Sequence, residues 1–248
     1  MTQLPELKVA VVGASRGLGR GIATAFAESG ADVVALARTG AALAELTNRH
    51  PNVRGAAADA ADAAVARRVL VEHEPHAVII VAGATPVMRE LVDQSSETFS
   101  VNWDTDVKIA FTWAREILRT PLPRGSRVVI VSSGAALNGS PLSGGYAGSK
   151  ATQRFIAQYA QMESDRSDLG ITFTTVLPRM TPAGDVGQAG IRAYARQGGL
   201  TEEAFVQQLE PVITPEIAGQ AMIDVVTADP ARSAAGYVLT GAGLTPLT

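Results

Sequence analysis

The sequence predicts an α/β protein: a doubly wound sheet of about seven parallel strands with helices on both faces. Short runs rich in β-branched residues alternate with alanine-rich stretches of helical length, which is typical of right-handed βαβ crossovers and a parallel sheet. The first apolar run leads directly into a glycine-rich turn, as expected where a buried strand passes into a helix. The 248 residues, 46% of them hydrophobic, are enough for a single domain over residues 1–248.

The predicted elements alternate along the chain. We predict strands over residues 7–12, 32–37, 53–57, 77–82, 127–132, 170–177 and 236–240. We predict helices over residues 16–29, 40–49, 62–73, 96–119, 146–168 and 214–227. Asp62 is the expected N-cap of the third helix, and Thr214 followed by Pro215 marks the start of the last one.

The glycine-rich turn predicts a phosphate-binding site. The apolar run over residues 9–12 is followed by Gly13-Ala14-Ser15-Arg16-Gly17-Leu18-Gly19. Glycine permits a positive φ and a close approach of the backbone to a ligand, and the N-terminus of the next helix offers free N–H groups to a diphosphate. Because the spacing differs from the Gly-x-Gly-x-x-Gly pattern of most dinucleotide-binding turns, a purely structural turn is the alternative interpretation.

The fifth strand ends in hydroxyl groups, and a tyrosine and a lysine follow in the next helix. In open α/β sheets ligands bind beyond the carboxyl ends of the strands, where Ser133 is expected to lie. Tyr146 and Lys150 are four residues apart and therefore share a helix face. A nearby ammonium favours the phenolate, so the phenol becomes a proton donor and acceptor near neutral pH. The pattern predicts reversible carbonyl–alcohol chemistry.

Ser132 competes with Ser133 for the position that faces a substrate. Adjacent residues on a strand point to opposite faces of the sheet, so only one of the two hydroxyls can face the substrate. The spacing to Tyr146 favours Ser133.

Taken together, the glycine turn, the strand that leads to Ser133 and the Tyr146–Lys150 pair resemble the short-chain dehydrogenase/reductase family in its common single-domain form. The resemblance extends from the first strand to Gly241 and implies a Rossmann-type fold with hydride transfer between a nicotinamide and a carbonyl carbon. It implies that Tyr146 protonates the carbonyl oxygen, that Ser133 polarises it, and that Lys150 assists the phenol and binds the nicotinamide ribose. Asn102 matches the family's asparagine that holds a water between the lysine and solvent.

The second strand indicates which dinucleotide is bound. In Rossmann folds an acidic residue near this strand end binds the adenosine ribose, whereas an arginine accommodates a 2′-phosphate. Here Ala37 occupies the acidic position, Arg38 follows it, and Arg16 is expected to reach the same phosphate. Since guanidinium matches phosphate geometry, we expect NADP(H) rather than NAD(H). The alternative is that Arg38 only solvates the strand end.

The resemblance implies further cofactor contacts at the strand ends. Asp59 matches the family's adenine-binding aspartate, with a turn residue as the alternative interpretation. The expected cofactor-binding residues are Gly13, Ser15, Arg16, Gly17, Leu18, Gly19, Arg38, Asp59, Ala82, Gly83, Tyr146, Lys150, Pro178 and Thr181. Arg179 stands where the family commonly has glycine, and we expect it to point into solvent, with an anionic substrate or the cofactor phosphates as the alternative.

Residues 178–212 interrupt the regular alternation and hold several glycines around a short helix predicted at 188–197. We expect this segment to form a mobile lid over a substrate, with an ordinary surface excursion as the alternative. The expected pocket walls are mostly apolar, which favours a carbonyl compound with a hydrophobic body; they include Ala135, Leu137, Leu142 and Met180. Arg192 and Arg196 are expected in solvent, with an anion site as the alternative.

Composition and charge exclude several classes of protein. A net charge of −3 without a basic patch argues against a nucleic-acid partner. Without cysteine there are no disulfides or sulfur-ligated metals, and the three histidines are not placed as ligands, so we expect no metal site. The first strand begins near Leu7 and no apolar stretch has the length of a membrane span. We therefore expect no signal peptide, no membrane partner and a cytoplasmic location.

These inferences favour an NADP-dependent short-chain oxidoreductase that reduces a ketone or aldehyde to an alcohol, or catalyses the reverse, with Tyr146 as general acid and base. The expected partner is a small-molecule carbonyl or alcohol. A non-catalytic NADP-sensing or regulatory protein on the same fold is the alternative, since a fold does not fix a function. The resemblance also implies a homo-oligomer, a tetramer or dimer, formed through residues 96–119, the tyrosine-bearing helix and the last strand.

Overall fold

The computed structural model describes residues 4–229 and 233–247, which form an α/β domain around one sheet. The strands are β1 (Lys8–Val12), β2 (Asp32–Ala37), β3 (Val53–Ala57), β4 (Ala77–Ile80), β5 (Arg127–Val131), β6 (Thr172–Pro178), β7 (Gly236–Thr240) and β8 (Gly243–Pro246). Their order across the sheet is β3-β2-β1-β4-β5-β6-β7-β8. Strands β1 to β7 run parallel, and β8 is antiparallel to β7.

The helices of the described residues are α1 (Gly17–Glu28), α2 (Ala41–Arg49), α3 (Ala63–His73), α4 (Ser96–Asn102), α5 (Lys108–Arg119), α6 (Ala135–Asn138), α7 (Tyr146–Arg166), α8 (Asp185–Gln197), α9 (Glu202–Gln207) and α10 (Pro215–Thr227). The expected caps are confirmed: Asp62 accepts a hydrogen bond from the Ala64 nitrogen (2.8 Å), and Thr214 accepts one from the Ile217 nitrogen (3.3 Å). Among these helices none combines the length and the apolar character needed to cross a lipid bilayer.

Both faces of the sheet are covered, as the doubly wound prediction requires. Along β1, Val9 and Val11 pack into a hydrophobic cluster with α1, α2 and α10. Ala10 and Val12 pack into a second cluster with α3, α5 and α7 on the opposite face. This division follows from the two-residue period of a strand, and it explains why the central strands read as continuous apolar runs.

The direction of winding reverses between β1 and β4. β2 and β3 lie on one side of β1, whereas β4 and the later strands continue on the other side. Connections that leave the carboxyl ends of β1 and β4 therefore diverge and leave a crevice, which is the usual ligand site of such sheets. The fold class predicted from the sequence is confirmed.

The sheet has one strand more than predicted. β8 forms a hairpin with β7, in which Thr240 pairs with Gly243 and Tyr237 pairs with Pro246. Proline is tolerated there because an edge strand needs no further N–H donor on its outer side. The run is too short and too irregular to show the alternation on which strand prediction depends.

The helix predicted over residues 96–119 is divided in two. α4 ends at Asn102, a π-helical turn occupies Trp103–Val107, and α5 begins at Lys108. Such a turn inserts one residue into the helical repeat and is frequent at functional sites. The segment 178–212 holds α8 and α9, so it is more regular than the sequence indicates.

Candidate functional site

A cavity of about 590 Å³ lies beyond the carboxyl ends of β1, β4, β5 and β6. Most site residues predicted from the sequence line it: Gly13, Ser15, Arg16, Gly17, Leu18, Gly19, Arg38, Ala82, Gly83, Ser133, Tyr146, Lys150, Pro178 and Thr181. Asn102 and Asp59 are not among the lining residues. In the described part of the chain no group of three or more His, Cys, Asp or Glu side chains is placed to hold a metal ion.

The turn between β1 and α1 packs closely against neighbouring backbone and leaves the start of α1 without a side-chain cap. Gly13 has φ +106°, and a Cβ there would lie 2.6 Å from the Ala82 nitrogen. Gly17 has φ +54°, and a Cβ there would lie 2.8 Å from the Ala183 oxygen. Arg16, the N-cap residue of α1, makes no side-chain hydrogen bond to the helix start. The first-turn N–H groups are thus uncapped by side chains, which fits the diphosphate of a dinucleotide.

Two arginines lie on the glycine-turn side of the cavity. Arg38, directly after β2, is exposed and lines the cavity. Arg16 also lines it, and its guanidinium is 2.8 Å from the carboxylate of Asp185 at the start of α8. Asp59 does not line the cavity, and its side chain accepts a hydrogen bond from the Ala61 nitrogen (2.9 Å). This contact is typical of a turn residue, which was the alternative interpretation of Asp59.

The two serines at the end of β5 have different partners. Ser132 is buried and donates a hydrogen bond to the backbone oxygen of Lys150 (2.7 Å). Ser133 is half-buried, and its oxygen accepts a hydrogen bond from the Ala135 nitrogen (3.2 Å). A hydroxyl oxygen that accepts from the backbone can still donate its own proton. Ser133 is therefore the better placed of the two to donate to a molecule in the cavity.

Tyr146 and Lys150 lie side by side on the wall of the cavity. Tyr146 is the first residue of α7, and Lys150 follows one turn later on the same face. The ammonium nitrogen is 5.5 Å from the centre of the tyrosine ring. Lys150 is only 5% exposed, so its charge acts in a poorly solvated environment.

A buried carboxylate that the sequence analysis did not find lies against this ammonium. Asp106 belongs to the π-helical turn, is 1% exposed, and has its Oδ2 2.9 Å from Lys150 Nζ. The same nitrogen donates to Gln153 Oε1 (3.0 Å), and the Gln153 amide donates to the backbone oxygen of Asp106 (3.1 Å). The three residues form a closed ring of contacts inside the protein.

Asp106 keeps Lys150 charged despite its burial. Burial by itself lowers the pKa of an ammonium, but the Asp106 carboxylate, with a further contribution from Tyr146, raises the pKa of Lys150 above its ordinary value. Lys150 is therefore protonated throughout the neutral pH range.

Asn102 supports this carboxylate from behind the cavity. Its amide donates to the Ala84 oxygen (2.8 Å) and to Asp106 Oδ1 (3.2 Å). The Ala84 nitrogen donates to the same Oδ1 (2.8 Å). Asn102 is 2% exposed, so its side chain ties the π-helical turn to the loop after β4.

A weak signal for the missed residues exists in the sequence. Asp106 stands four residues after Asn102, and Gln153 stands three residues after Lys150, spacings that place each pair on a common helix face. The π-helical turn, α7 and the loop after β4 meet through tertiary packing, and a local sequence pattern cannot predict such a contact.

The substrate side of the cavity is more polar than predicted. Ala135 and Met180 line it, as expected. Leu142 is buried elsewhere and Leu137 is 42% exposed, so the prediction was wrong for these two. Polar side chains that line the cavity include Asn138, Ser140, Ser143 and Tyr194. The hydroxyl of Tyr194 on α8 lies 2.8 Å from Ser140 Oγ and links α8 to the loop after α6.

The residues after β6 differ in exposure. Thr181 is buried, and its hydroxyl donates to the Ile213 oxygen. Arg179 is exposed at the cavity rim. Arg192 and Arg196 are exposed on α8 and are not among the lining residues.

The family is decided by comparison with known proteins. A family model described as short chain dehydrogenase matches residues 8–195. The chain belongs to the short-chain dehydrogenase family. This short-chain dehydrogenase is 26% identical over 159 residues to "Carbonyl reductase [NADPH] 2" of Sus scrofa, a match that covers 63% of this chain and 65% of that protein.

Two further relatives are similar to this short-chain dehydrogenase. "L-xylulose reductase" of Bos taurus is 25% identical over 184 residues, which cover 73% of this chain and 75% of the relative. "D-erythrulose reductase" of Gallus gallus is 28% identical over 130 residues, which cover 51% and 52%. The chain thus spans between about half and three quarters of the length of these curated relatives.

Proposed function

We propose that this short-chain dehydrogenase reduces a ketone or aldehyde to an alcohol with NADPH, or catalyses the reverse, with Tyr146 as general acid and base. The observation that carries the proposal is the grouping of Ser133, Tyr146 and Lys150 on one cavity with a helix N-terminus that no side chain caps. The printed names of the similar proteins support it, since each is a reductase.

The chain's own residues supply proton transfer and charge stabilisation. When bound, the reduced nicotinamide provides the hydride for the carbonyl carbon. Tyr146 donates its phenolic proton to the carbonyl oxygen, and Ser133 donates a hydrogen bond to the same atom, which stabilises the charge that develops there. In the reverse direction the phenolate of Tyr146 accepts the alcohol proton. The ammonium of Lys150 provides a positive charge 5.5 Å from the centre of the tyrosine ring.

We infer that the cofactor is NADP(H) rather than NAD(H). The uncapped N-terminus of α1 fits the diphosphate, and Arg38 provides a cation at the end of β2, where Ala37 leaves no carboxylate to bind ribose hydroxyls. Arg38 is the stronger candidate for the 2′-phosphate, because the guanidinium of Arg16 is already paired with Asp185.

We also propose that the protein forms a homo-oligomer. Large apolar side chains are exposed along the helices expected to carry subunit contacts: Phe99, Trp103, Phe111, Phe155, Tyr159 and Met162. Exposed apolar surface of this kind is typical of a protein–protein interface.

The proposed reaction is tested with Tyr146→Phe. NADPH oxidation is followed with L-xylulose, with D-erythrulose and with a panel of hydrophobic ketones and aldehydes. Removing the phenolic proton donor is expected to lower kcat by about a hundredfold or more, the usual size of general acid–base catalysis. NADPH affinity, measured by fluorescence titration, is expected to remain close to that of the unaltered protein.

Tyr159→Phe is the matched control, because Tyr159 lies on the same helix but is 58% exposed and outside the cavity lining. It is expected to retain activity. Undiminished turnover in Tyr146→Phe would rule out the proposed mechanism. Tight NADPH binding without turnover of any carbonyl compound would favour a non-catalytic NADP-sensing protein instead.

A further inference from the structure

Two hydroxyl groups in the cavity take no part in the proposed proton transfer. Tyr194 and Ser140 both line the cavity, and their hydroxyl oxygens are 2.8 Å apart. Tyr194 lies on α8, whereas Ser140 lies in the loop between α6 and α7. Both residues are half-buried. Together they form a hydroxyl pair that is separate from Ser133 and Tyr146, the two residues assigned to the carbonyl oxygen.

The packing of α8 directs Tyr194 to the cavity. Beyond its first turn this helix contributes Gly190 and Tyr194 to the cavity lining, and the two residues are four positions apart on one helix face. A Cβ at Gly190 would lie 3.2 Å from the methyl carbon of Met180, so the helix packs closely against the residues after β6. Tyr194 is therefore the side chain that this part of α8 presents to the cavity.

Ser140 is held by the turns that lead to Tyr146. Its backbone oxygen accepts hydrogen bonds from the Ser143 nitrogen (3.0 Å) and from the Ser143 hydroxyl (2.9 Å). The Ser143 oxygen in turn accepts a hydrogen bond from the Tyr146 nitrogen (3.1 Å). Two consecutive turns thus connect the hydroxyl pair to the first residue of α7. The pair and the proposed general acid are therefore held in a fixed relation on the same cavity.

The hydroxyl pair has one proton more than its internal contact uses. Tyr194 and Ser140 carry one hydroxyl proton each, and the hydrogen bond between them uses one of the two. The Leu142 nitrogen donates to the Tyr194 oxygen (3.3 Å) and accepts nothing in return. Neither hydroxyl has a further partner among the residues that the structure describes. One proton is thus left to donate, whichever of the two residues carries it.

We propose that the hydroxyl pair binds a hydroxyl group of the substrate, which makes the substrate a small hydroxylated ketone or aldehyde. The Ser140 oxygen keeps a free lone pair in either direction of the internal hydrogen bond, so the pair both donates and accepts. An alcohol group also donates and accepts, whereas a carboxylate only accepts. Ala135 and Met180 line the same cavity and are left for the carbon skeleton. This proposal rests on the proposed function, because it names the substrate class of that site.

The test compares ketones in which a hydroxyl group takes the place of a methyl group. Hydroxyacetone is paired with butanone, and β-hydroxyethyl methyl ketone is paired with methyl propyl ketone, so that the hydroxyl lies at two distances from the carbonyl. NADPH oxidation gives kcat/KM for each compound. In the unaltered protein at least one pair is expected to favour the hydroxyketone by about fivefold or more, the effect of an ordinary hydrogen bond.

The double variant Tyr194→Phe with Ser140→Ala removes both hydroxyls, since either one alone could still donate a proton. A substrate hydroxyl also withdraws electrons from the carbonyl, but this effect is the same in every variant and cancels from the comparison. The loss of kcat/KM is expected to be about fivefold larger for the hydroxyketone than for its partner. Tyr159→Phe, which alters an exposed tyrosine outside the cavity lining, is expected to keep the preference.

The possible results separate this proposal from the proposed function. Turnover of ketones without a preference for the hydroxyketone in either pair overturns this proposal alone, and this arm needs only the unaltered protein. A preference that the double variant retains in full overturns it as well. Turnover of no carbonyl compound by the unaltered protein refutes the proposed function and this proposal with it. A preference lost in the double variant and kept in Tyr159→Phe supports both.

Discussion

Single side chains at strand ends decide what the cavity can bind. Gly13 and Gly17 let the turn after β1 pass close to the backbone of Ala82 and Ala183, and Arg38 adds a cation at the end of β2. Because phosphate and guanidinium form charge-assisted hydrogen bonds, a single arginine can separate NADPH from NADH.

Arg38→Ala is expected to weaken NADPH binding by about tenfold or more, which corresponds to one charge-assisted hydrogen bond. NADH affinity is expected to stay within about twofold, since NADH lacks the 2′-phosphate. The measurement is a fluorescence titration of each variant with both cofactors. Arg192→Ala, an exposed arginine outside the cavity lining, is the control and should bind both as the unaltered protein does. Equal losses for the two cofactors in Arg38→Ala would contradict the assignment.

Local motifs found the residues of this site that lie on a strand end or one turn into a helix. Ser133, Tyr146 and Lys150 have fixed spacings along the chain, and the cavity brings them together. Asp106 was missed because its position depends on a π-helical turn and on the loop after β4, two features without a local pattern.

At the scale of elements, α3 and α5 are joined by a buried carboxylate. Glu116 on α5 is fully buried; Arg67 on α3 contacts its Oε2 (2.9 Å), and Arg115 contacts its Oε1 (2.7 Å). Hydrogen bonds from Arg115 are the main cause of a pKa of Glu116 below its ordinary value; burial opposes this and Arg67 adds to it. The ionised form is therefore favoured by folding.

Because the pKa of Glu116 is depressed in the folded state, its contribution to stability is present at neutral pH and is lost as the pH falls below the ordinary glutamate value of about 4.3. Glu116→Gln is expected to have a lower free energy of unfolding than the unaltered protein near neutral pH. The difference should shrink as the solution is acidified. Urea unfolding over a series of pH values measures it.

Glu45→Gln is the control for that series. Glu45 pairs with Arg20 and Arg49, but its side chain is 59% exposed, and exposed ion pairs contribute little. Its loss is expected to change the unfolding free energy only slightly at any pH. A constant difference between Glu116→Gln and the unaltered protein from neutral to acid pH would contradict the ionic explanation.

The whole molecule is a doubly wound domain whose layers were predictable from the alternation of short apolar runs and helical stretches. The order of the strands was not predicted, since the rules of crossover connection fix the handedness of each connection and leave the order open. The hairpin of β7 and β8 and the division of residues 96–119 were not predictable, because each depends on how a short segment fits its neighbours.

Self-association is the prediction at this scale. The unaltered protein is expected to sediment as a dimer or tetramer at micromolar concentration. The double variant Phe155→Glu with Tyr159→Glu places charges on the stacked aromatic pair of α7 (ring centres 6.1 Å apart) and is expected to shift the protein to smaller species.

Leu200→Glu is the control, since Leu200 is an exposed leucine (38%) in the connection between α8 and α9. It is expected to leave the sedimentation profile unchanged. A monomeric profile for the unaltered protein would refute the proposed interface.

The two borders of the sheet are unsuited to the addition of a further strand. An outer strand exposes unpaired backbone donors and acceptors and invites the addition of a foreign strand, the first step of many aggregates. Here β8 is four residues long and ends in Pro246, which has no N–H to offer a neighbour. On the opposite border β3 carries the charged Arg54, which pairs with Asp32. Both edge strands therefore disfavour pairing with a strand of another molecule, which protects the protein against aggregation through its sheet edges.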